Sequence, residues 1–541
     1  MNKRLVFWHL GALALYSVLS WLLLDRGAGL TNHILGYTSD PSLIMWFLAW
    51  WPWALTHHVT SLTTHLVWQP AGLNIAWTTC VPLLALLAAP ITLLVGPLLS
   101  FNVLTLAAPV LAAWAAYFLC LELEVPPLAA LFGGLYFGFS SYEAAQLFDH
   151  LNLDFTVLIP LILLVALRRL RGRTGHWAAS IWLGVLLGGE FLISEELLAT
   201  SCLFSAIAFT LAWINASPWR PALRAFVFDL ACAAPIALLL ASPILWAMLT
   251  GPHDMAHPAD WGTLFCVDAL NFIVPTLSSW LGGSSFGTVS QLLSGGLDEQ
   301  TGYLGWPFLA LLYVLLRYKE ARRRWWLPLA MLGVVLLASL GGTLWIGGHN
   351  TGIPLPWAII AHVPLLGEAL PARCMLYAAL LGGIILALWV GQAPTRRRVL
   401  VASLACVFVL PAPRPVEPSP ALTFFQPGRV QAVLGVSPRL LILPFSIAGQ
   451  SSYWQAEDNF GFTQVGGYLG YPPRWAQRDP AVLQLFSNSL TADFARLCHL
   501  RGVRYVIATP ATTPEEKAAL AALDWPAQKI DDVTVFTVPK S

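Results

Sequence analysis

One carboxylate stands out in the 541-residue sequence because of its aromatic neighbours. Asp40 lies in the stretch GYTSDPS, and a block with four tryptophans (46, 50, 51 and 53) comes directly after it. Tryptophan concentrates where membrane meets water, so we expect this carboxylate at the mouth of a site near a lipid head group. There it could act as a general base that takes a proton from a hydroxyl group. The alternative interpretation is an Asp-Pro turn that caps an interfacial helix.

One arginine stands apart from every basic cluster of the chain. Arg373 lies in LPARCML, where a loop enters an apolar run. A guanidinium binds phosphate oxygens through a planar fork of N–H groups, which predicts an anion clamp. An arginine that snorkels to the membrane interface, or that pairs with a nearby acid, is the alternative. Asp149 and His150, in the short turn FDHLNL, are further candidates, although a histidine there could simply cap a helix.

The composition determines which kind of protein carries these residues. Hydrophobic residues make up 57% of the chain and charged residues 11%, against roughly 25% charged in soluble proteins. This excludes a soluble protein. Runs that are long enough to span a bilayer, roughly 17–25 residues, begin near residues 5, 100, 127, 152, 177, 200, 223, 302, 325, 374 and 397. The sequence therefore predicts an α-helical polytopic membrane protein with about 11 transmembrane helices.

The basic residues indicate which side of the membrane each loop occupies. They cluster at alternate ends of the runs: Lys3/Arg4, Arg168–Arg173, Arg220/Arg224, Arg317–Arg324 and Arg396–Arg398. The positive-inside rule assigns these clusters to the cytoplasm. The intervening loops hold Arg26 and Arg373 alone. We therefore predict a cytoplasmic N-terminus, as in an uncleaved anchor, and an extracytoplasmic C-terminus.

Two further apolar segments, 42–56 and 79–98, lie in the long outer loop 25–99. If both crossed the membrane, the count of spans would rise to 13. The loop between them would then be cytoplasmic although it contains no lysine or arginine. We expect helices that lie along the outer interface instead, because the first segment is short and rich in tryptophan.

Acidic residues gather on the predicted outer face: Asp40, Asp149, Asp254, Asp260, Asp268, Asp298, Glu299 and Glu368. Glu195 stands roughly 27 Å along a span that begins near residue 177, at 1.5 Å per residue, so we expect it to face an outer cavity. His253, His257, Asp254 and Asp260 are too loosely spaced to predict a metal site, although a divalent ion remains the alternative. The eight cysteines lack the spacing of a zinc site or a disulfide framework.

The composition changes after residue 411, where the Pro-rich segment PAPRPVEPSP begins. Apolar strand-like stretches then alternate with helical ones, and Thr513-Pro514-Glu515-Glu516 is a capping box that predicts the start of a helix. We expect residues 412–541 to form a small extracytoplasmic α/β domain beside a transmembrane domain of residues 1–411. It has no phosphate-binding glycine loop, so a lid or docking module is the expected role.

The membrane part resembles the GT-C superfamily of integral-membrane glycosyltransferases, in particular its poorly characterised bacterial members. The resemblance covers residues 1–410. It rests on the first-loop acid in GYTSDPS, the interfacial helices after it and the acidic turn FDHLNL. Further segments that support it are WQPAGLN (68–74), GFSSYEAAQLFDHLNL (138–153), DALNFIVPT (268–276), YLGWPFL (303–309) and LPARCML (370–376). The first loop has one acid rather than a pair, and the chain lacks a WWDYG motif.

The resemblance implies sugar transfer from a polyprenyl-phosphate donor to a glycan, lipid or protein of the cell envelope, outside the bacterial cytoplasmic membrane. It implies that Asp40 is the base and that Arg373 holds the donor phosphate. Asp149, His150, Glu195 and Trp68 are the expected substrate contacts. Membrane lipids are expected partners, whereas nucleic acid and a resident cofactor are not. A transporter or lipid flippase is the alternative, and a non-catalytic scaffold is a third possibility.

Overall fold

The chain folds into two compact units that are each built from distant segments of the sequence. The computed structural model describes residues 3–36, 40–147, 149–253, 255, 261–363, 366–413, 416–490 and 493–540. Unit 1 comprises Met1–Ala28, Leu104–Ala241 and Pro258–Pro415. Unit 2 comprises Gly29–Val103, Ser242–His257 and Val416–Ser541. The residues after 416 therefore share a unit with most of the long loop that follows the first helix.

Most of the described chain is helical. In chain order the α-helices are α1 (Lys3–Ser20), α2 (Asp40–Thr56), α3 (Pro82–Leu94), α4 (Pro97–Glu122), α5 (Pro127–Gly138), α6 (Ser141–Gln146), α7 (Leu151–Asp154), α8 (Leu158–Leu170), α9 (His176–Phe191), α10 (Glu195–Asn215), α11 (Arg220–Thr250), α12 (Trp261–Leu264), α13 (Gly287–Ser290), α14 (Trp306–Arg317), α15 (Lys319–Arg324), α16 (Trp326–Ser339), α17 (Trp357–Ile360), α18 (Met375–Gln392), α19 (Arg396–Val409), α20 (Arg429–Leu434), α21 (Ser451–Glu457), α22 (Pro480–Phe486), α23 (Phe494–Arg501) and α24 (Pro514–Ala521).

Strands occur mainly in unit 2. They are β1 (His33–Leu35), β2 (Thr63–Thr64), β3 (Leu73–Asn74), β4 (Thr343–Ile346), β5 (His349–Pro354), β6 (Val416–Pro418), β7 (Arg439–Leu443), β8 (Thr463–Gln464), β9 (Tyr505–Ala508), β10 (Ala527–Ile530) and β11 (Val533–Thr537). The largest sheet has five strands in the order β10-β11-β9-β7-β8. Its β7 strand runs parallel to β8 and β9, whereas β11 is antiparallel to both of its neighbours. The predicted capping box is confirmed: Thr513 and Glu516 cap α24 reciprocally.

Within the described part of the chain, six helical stretches are long and apolar enough to cross a membrane: Lys3–Asp25, Pro97–Glu122, Leu151–Leu170, Glu195–Asn215, Ser217–Thr250 and Pro371–Gln392. The protein is therefore a multi-pass membrane protein. The other five predicted spans form α5, α9, α14, α16 and α19, which are 12 to 16 residues long. At 1.5 Å per residue each is shorter than the ~30 Å hydrocarbon core. The count of eleven spans stays a prediction.

The tryptophan block after Asp40 belongs to α2, most of which is buried. Twelve of the 17 residues of α2 are buried, including Trp46 and Trp50, whose rings stack 5.9 Å apart. A helix that lies on a membrane surface would leave one apolar face open to lipid. The structure instead covers α2 with other parts of unit 2, so this tryptophan pair reflects core packing rather than an interfacial belt.

A single amide side chain connects three segments of unit 2. Gln455 Oε1 accepts a hydrogen bond from Trp46 Nε1 at 2.8 Å. Its Nε2 donates to the backbone oxygens of Leu66 and Phe462, each at 2.9 Å. Because Gln455 is fully buried, loss of any of these partners would leave a polar group unsatisfied in the core. This contact ties the segment between α1 and α4 to the C-terminal part of the chain.

Asp458, which follows α21, gives unit 2 a pH-dependent stability. Its Oδ1 accepts from the Gly428 N–H at 3.0 Å, whereas its buried Oδ2 has no partner among the described residues. Burial raises the pKa of this carboxyl to about 7. The folded chain thus holds the proton more tightly than the unfolded chain, where the pKa is ~4. The stability that Asp458 contributes is fully present below pH ~4 and is lost as the pH rises towards 7.

We therefore expect Asp458→Asn to flatten the dependence of thermal unfolding on pH between about 4 and 7. The asparagine oxygen can still accept from Gly428. The measurement is the unfolding midpoint of the full chain in detergent across this range. Asp524→Asn, at an exposed position, should keep the wild-type slope. An unchanged slope in Asp458→Asn would contradict this prediction.

Candidate active site

Arg373 lies in unit 1 between two carboxylates. It stands in the turn Pro371–Cys374, directly before α18. Its Nε and Nη2 donate to Glu299 Oε1 at 2.8 and 2.6 Å, and its Nη1 donates to Glu196 Oε2 at 2.5 Å. The side chain of Glu299 is 2% exposed and those of Arg373 and Glu196 are 16% and 20% exposed. The structure therefore contains the ion pair with a nearby acid that the sequence analysis gave as the alternative.

Neighbouring hydrogen bonds fix each member of this triad. Ser194 caps α10 by accepting from the Leu197 N–H, which places Glu196 in the first turn. Glu196 Oε1 also accepts from the backbone N–H of Leu370 at 3.0 Å. Thr301 donates to the backbone oxygen of Ala372 at 2.7 Å, which ties the Glu299 segment to the Arg373 turn. The guanidinium is held in one orientation, and two of its N–H groups have no partner among the described residues.

A histidine and a second acid stand beside Glu299. One ligand atom each of His150, Asp298 and Glu299 lie within 4.8 Å of one another. Gln146 Nε2 donates to the backbone oxygen of Asp298 at 2.9 Å, and the Gln146 backbone oxygen accepts from the His150 N–H at 2.9 Å. Gln146 therefore joins the turn that carries His150 to the turn that carries both acids.

These three residues fit a divalent cation. Glu299 Oε2 is buried and has no hydrogen-bond partner among the described residues. Burial raises the pKa of Glu299 above its ordinary value, and the charges of Arg373 and His150 oppose that rise. A second positive charge at Oε2 would satisfy the orphaned oxygen, and one imidazole with two carboxylates is a donor set that suits such ions. His253, in unit 2, instead stacks on Trp77, while His257, Asp254 and Asp260 lie outside the described residues.

A buried pair of acids supports the turn that carries His150. Glu143, in α6, is fully buried and Asp154, at the end of α7, is 1% exposed. Glu143 Oε1 accepts from the Thr156 hydroxyl at 2.8 Å. Burial and the adjacent Asp154 raise the pKa of Glu143 well above its ordinary range. A raised pKa favours the neutral form of Glu143, which lowers the repulsion between the two buried acids.

The other predicted residues of unit 1 lie in the same turns. Asp149 precedes His150, and its backbone N–H donates to the Gln146 oxygen at 3.2 Å. Glu195 begins α10, but its neighbour Glu196 is the residue that binds Arg373. Consecutive side chains on an α-helix point about 100° apart. Glu195 lies at the start of α10 and not in the helix that begins near residue 177, and its role as a substrate contact stays a prediction.

Asp40 and Trp68 belong to unit 2. Asp40 is the first residue of α2, and the Tyr468 hydroxyl donates to its Oδ1 at 2.5 Å. Ser452 orients Tyr468 through two hydrogen bonds to the Tyr468 backbone, at 2.8 and 3.0 Å. Nothing in the sequence indicated Tyr468, because it follows Asp40 by 428 residues. Asp40 as the catalytic base stays a proposal.

Trp68, expected as a substrate contact, lies in the core of unit 2. Its side chain is 1% exposed and packs edge-on against Phe445 and Trp475, with ring centroids 6.0 and 5.9 Å away. Its backbone has a positive φ of 53°, directly before the turn at Gln69-Pro70. Packing in the core of unit 2 therefore explains why a tryptophan occupies this position.

Solved structures of two membrane enzymes share this fold. Arabinofuranosyltransferase AftD from Mycobacteria matches all of this chain with a TM-score of 0.62 at 13% identity. The chain spans 40% of the AftD chain. The Archaeoglobus fulgidus oligosaccharyltransferase, tethered with an acceptor peptide, matches 94% of this chain and 69% of its own, with a TM-score of 0.51 at 12% identity. Its apo form gives a TM-score of 0.52 at 11% identity, over 94% of this chain and 70% of its own.

The chain therefore shares the fold of these two transferases, in agreement with the resemblance found in the sequence. The chain belongs to the family described as the domain of unknown function DUF6311, whose model matches residues 8–410. A search of curated proteins found no match.

Proposed function

We propose that this protein transfers a sugar from a polyprenyl-phosphate donor to an acceptor of the cell envelope, on the outer face of the cytoplasmic membrane. The fold supports a transferase of this general class. The observation that carries the proposal is the polar cluster of unit 1, where Arg373 lies between Glu196 and Glu299 with His150 and Asp298 beside Glu299. Ionisable groups are costly to bury in a membrane protein, so such a concentration of them points to a functional site.

The cluster suits the leaving group of such a reaction. The two remaining N–H groups of Arg373 can donate to a phosphate oxygen while the carboxylates hold the guanidinium in place. A divalent cation on His150, Asp298 and Glu299 would neutralise charge that develops on the departing phosphate. Placing fixed positive charge where negative charge develops is usually the largest single contribution to catalysis.

The acceptor requires a base, and Asp40 is the proposed one. Its carboxylate would accept the proton of the attacking hydroxyl as the new bond to the anomeric carbon forms. The donor bond between that carbon and the phosphate oxygen breaks, and the lipid phosphate leaves with the electron pair. Tyr468, which donates to Asp40 Oδ1, would orient the carboxylate.

The experiment is incubation of the purified full chain with a panel of polyprenyl-phosphate sugars that carry a radiolabelled pentose or hexose. We expect slow release of labelled sugar to water and faster release when an acceptor glycan is present. Arg429→Met, which breaks an exposed ion pair with Asp531 in unit 2, should act as wild type. His150→Ala should lose the reaction. Movement of labelled lipid across liposomes without cleavage would overturn the proposal and favour a flippase.

A further inference from the structure

A groove lies between α10 and α11, near the short connection from the end of α10 to the start of α11. Its volume is about 390 Å³, and its lining residues are Phe209, Thr210, Trp213, Arg224 and Val227. This size is within the usual range of small-molecule sites, ~300–1,000 Å³. All five residues belong to unit 1.

α11 packs closely on α9. A Cβ at Gly184 would lie 2.6 Å from Ile236 Cβ, and one at Gly188 would lie 2.8 Å from Leu240 Cδ1. Small residues allow membrane helices to approach in this way. The side of α11 that bears Arg224 and Val227 therefore faces an open space beside α10.

Two arginines stand at the joined end of this groove. Arg220 and Arg224 are one turn apart on α11, and their guanidinium carbons lie 6.0 and 5.4 Å from the centre of the Trp213 ring. Arg220 also donates to the backbone oxygens of Trp213 and Ile214 at the end of α10. Arg224 has no hydrogen bond or ion pair with any described residue. Its full fork of N–H groups is therefore available to an anion.

The acids nearby on the same elements already have partners. Asp229 is fully buried, and its two oxygens accept from Arg169, at 2.6 Å, and from His176. The acids of α10, Glu195 and Glu196, lie at its opposite end. The groove therefore keeps the positive charge of both arginines.

Beyond the arginines, the exposed side of α11 is apolar. Phe228 is 62% exposed, and Leu238 and Leu239 are 59% and 73% exposed. Such side chains on a helix long enough to span the bilayer contact lipid tails. This surface of α11 therefore attracts an anionic group at the end that carries the arginines. The rest of the surface favours contact with hydrocarbon chains.

We propose that this groove binds one anionic glycerophospholipid of the bilayer. The phosphate contacts Arg224 and Arg220 beside Trp213, and the acyl chains follow Val227 and Phe228 along α11. The positive-inside rule places this end of the helices in the inner leaflet. Basic pockets between transmembrane helices on that side commonly bind anionic head groups. This site involves none of the residues assigned above to sugar transfer.

The test is native mass spectrometry of the detergent-purified full chain titrated with palmitoyl-oleoyl phosphatidylglycerol or phosphatidylcholine. We expect one phosphatidylglycerol to bind more tightly than phosphatidylcholine. Arg224→Gln should weaken phosphatidylglycerol about tenfold or more, because a charge-assisted hydrogen bond is lost. Thr210→Trp, which fills the groove and keeps both arginines, should give the same loss. The Thr210→Trp variant also provides an independent test if the Arg224→Gln variant folds poorly.

Arg317→Gln is the matched control, since Arg317 is an exposed arginine over an aromatic ring, Tyr313, at the end of α14. It should bind phosphatidylglycerol as wild type does. Equal binding of the two lipids, or equal loss in Arg317→Gln and Arg224→Gln, would overturn the proposal. Displacement of the lipid by an equal concentration of inorganic phosphate would show a site for free anions and overturn it as well.

Discussion

Replacing Arg373 by methionine is expected to destabilise unit 1 by about 3–5 kcal/mol, the usual cost of removing one partner of a buried ion pair, and to abolish turnover. Glu299 is 2% exposed and would lose two charge-assisted hydrogen bonds, while Glu196 would lose one. The measurements are denaturant unfolding in detergent and release of labelled sugar. Arg373→Lys keeps the charge without the fork, so we expect an intermediate stability.

A triple variant separates the two roles of this arginine. Combining Arg373→Met with Glu196→Gln and Glu299→Gln removes the uncompensated charges, so stability should return toward wild type while turnover stays absent. Arg429→Met, at an exposed ion pair, should leave stability unchanged, because surface pairs contribute little. If the triple variant transferred sugar at the wild-type rate, Arg373 would have no part in donor binding.

Asp40→Asn is expected to lower turnover by about 10²–10⁴-fold, the range typical of a lost general base. The asparagine retains an oxygen that can accept from Tyr468, so the thermal unfolding midpoint should remain near that of wild type. The measurement is single-turnover transfer with saturating donor and acceptor. The donor affinity should change little, because the proposed task of Asp40 is at the acceptor.

Tyr468→Phe provides the companion test, since it removes the hydroxyl that orients Asp40 and keeps the ring. We expect a smaller loss than in Asp40→Asn because the carboxylate is still present. Full activity in Asp40→Asn, with the protein folded, would remove this residue from the mechanism. A loss of the same size in both variants, accompanied by unfolding, would indicate a structural role instead.

The helical membrane fold could be predicted, and Arg373 could be singled out as a candidate, from the sequence for the same reason. In a chain with 11% charged residues, each membrane span is visible as an apolar run and each isolated cation is conspicuous. The partners of Arg373 could not be found in this way. Glu196 and Glu299 stand 177 and 74 residues from it, and no local periodicity encodes contacts over such distances.

The tryptophan block shows where composition is ambiguous. Trp46 and Trp50 are as consistent with a membrane interface as with a core, because tryptophan combines a large apolar ring with one N–H donor. The buried environment of this pair depends on Gln455, which accepts a hydrogen bond from Trp46 and lies 409 residues after it. The short helices α5 and α14 show a similar ambiguity, since an apolar run of spanning length can be divided by a turn, as at Ser140 before α6.

The contact of Gln455 with Trp46 has a consequence for biosynthesis. Unit 2 combines an early and a late part of the chain, which are synthesised at different times. The aromatic side chains of α2 can therefore be covered only after the last quarter of the chain has been made. During that interval the nascent loop is exposed to proteases and to self-association. A ribosome that stalls within the membrane part would therefore release a product in which α2 is uncovered and open to degradation, even though its helices have already been inserted.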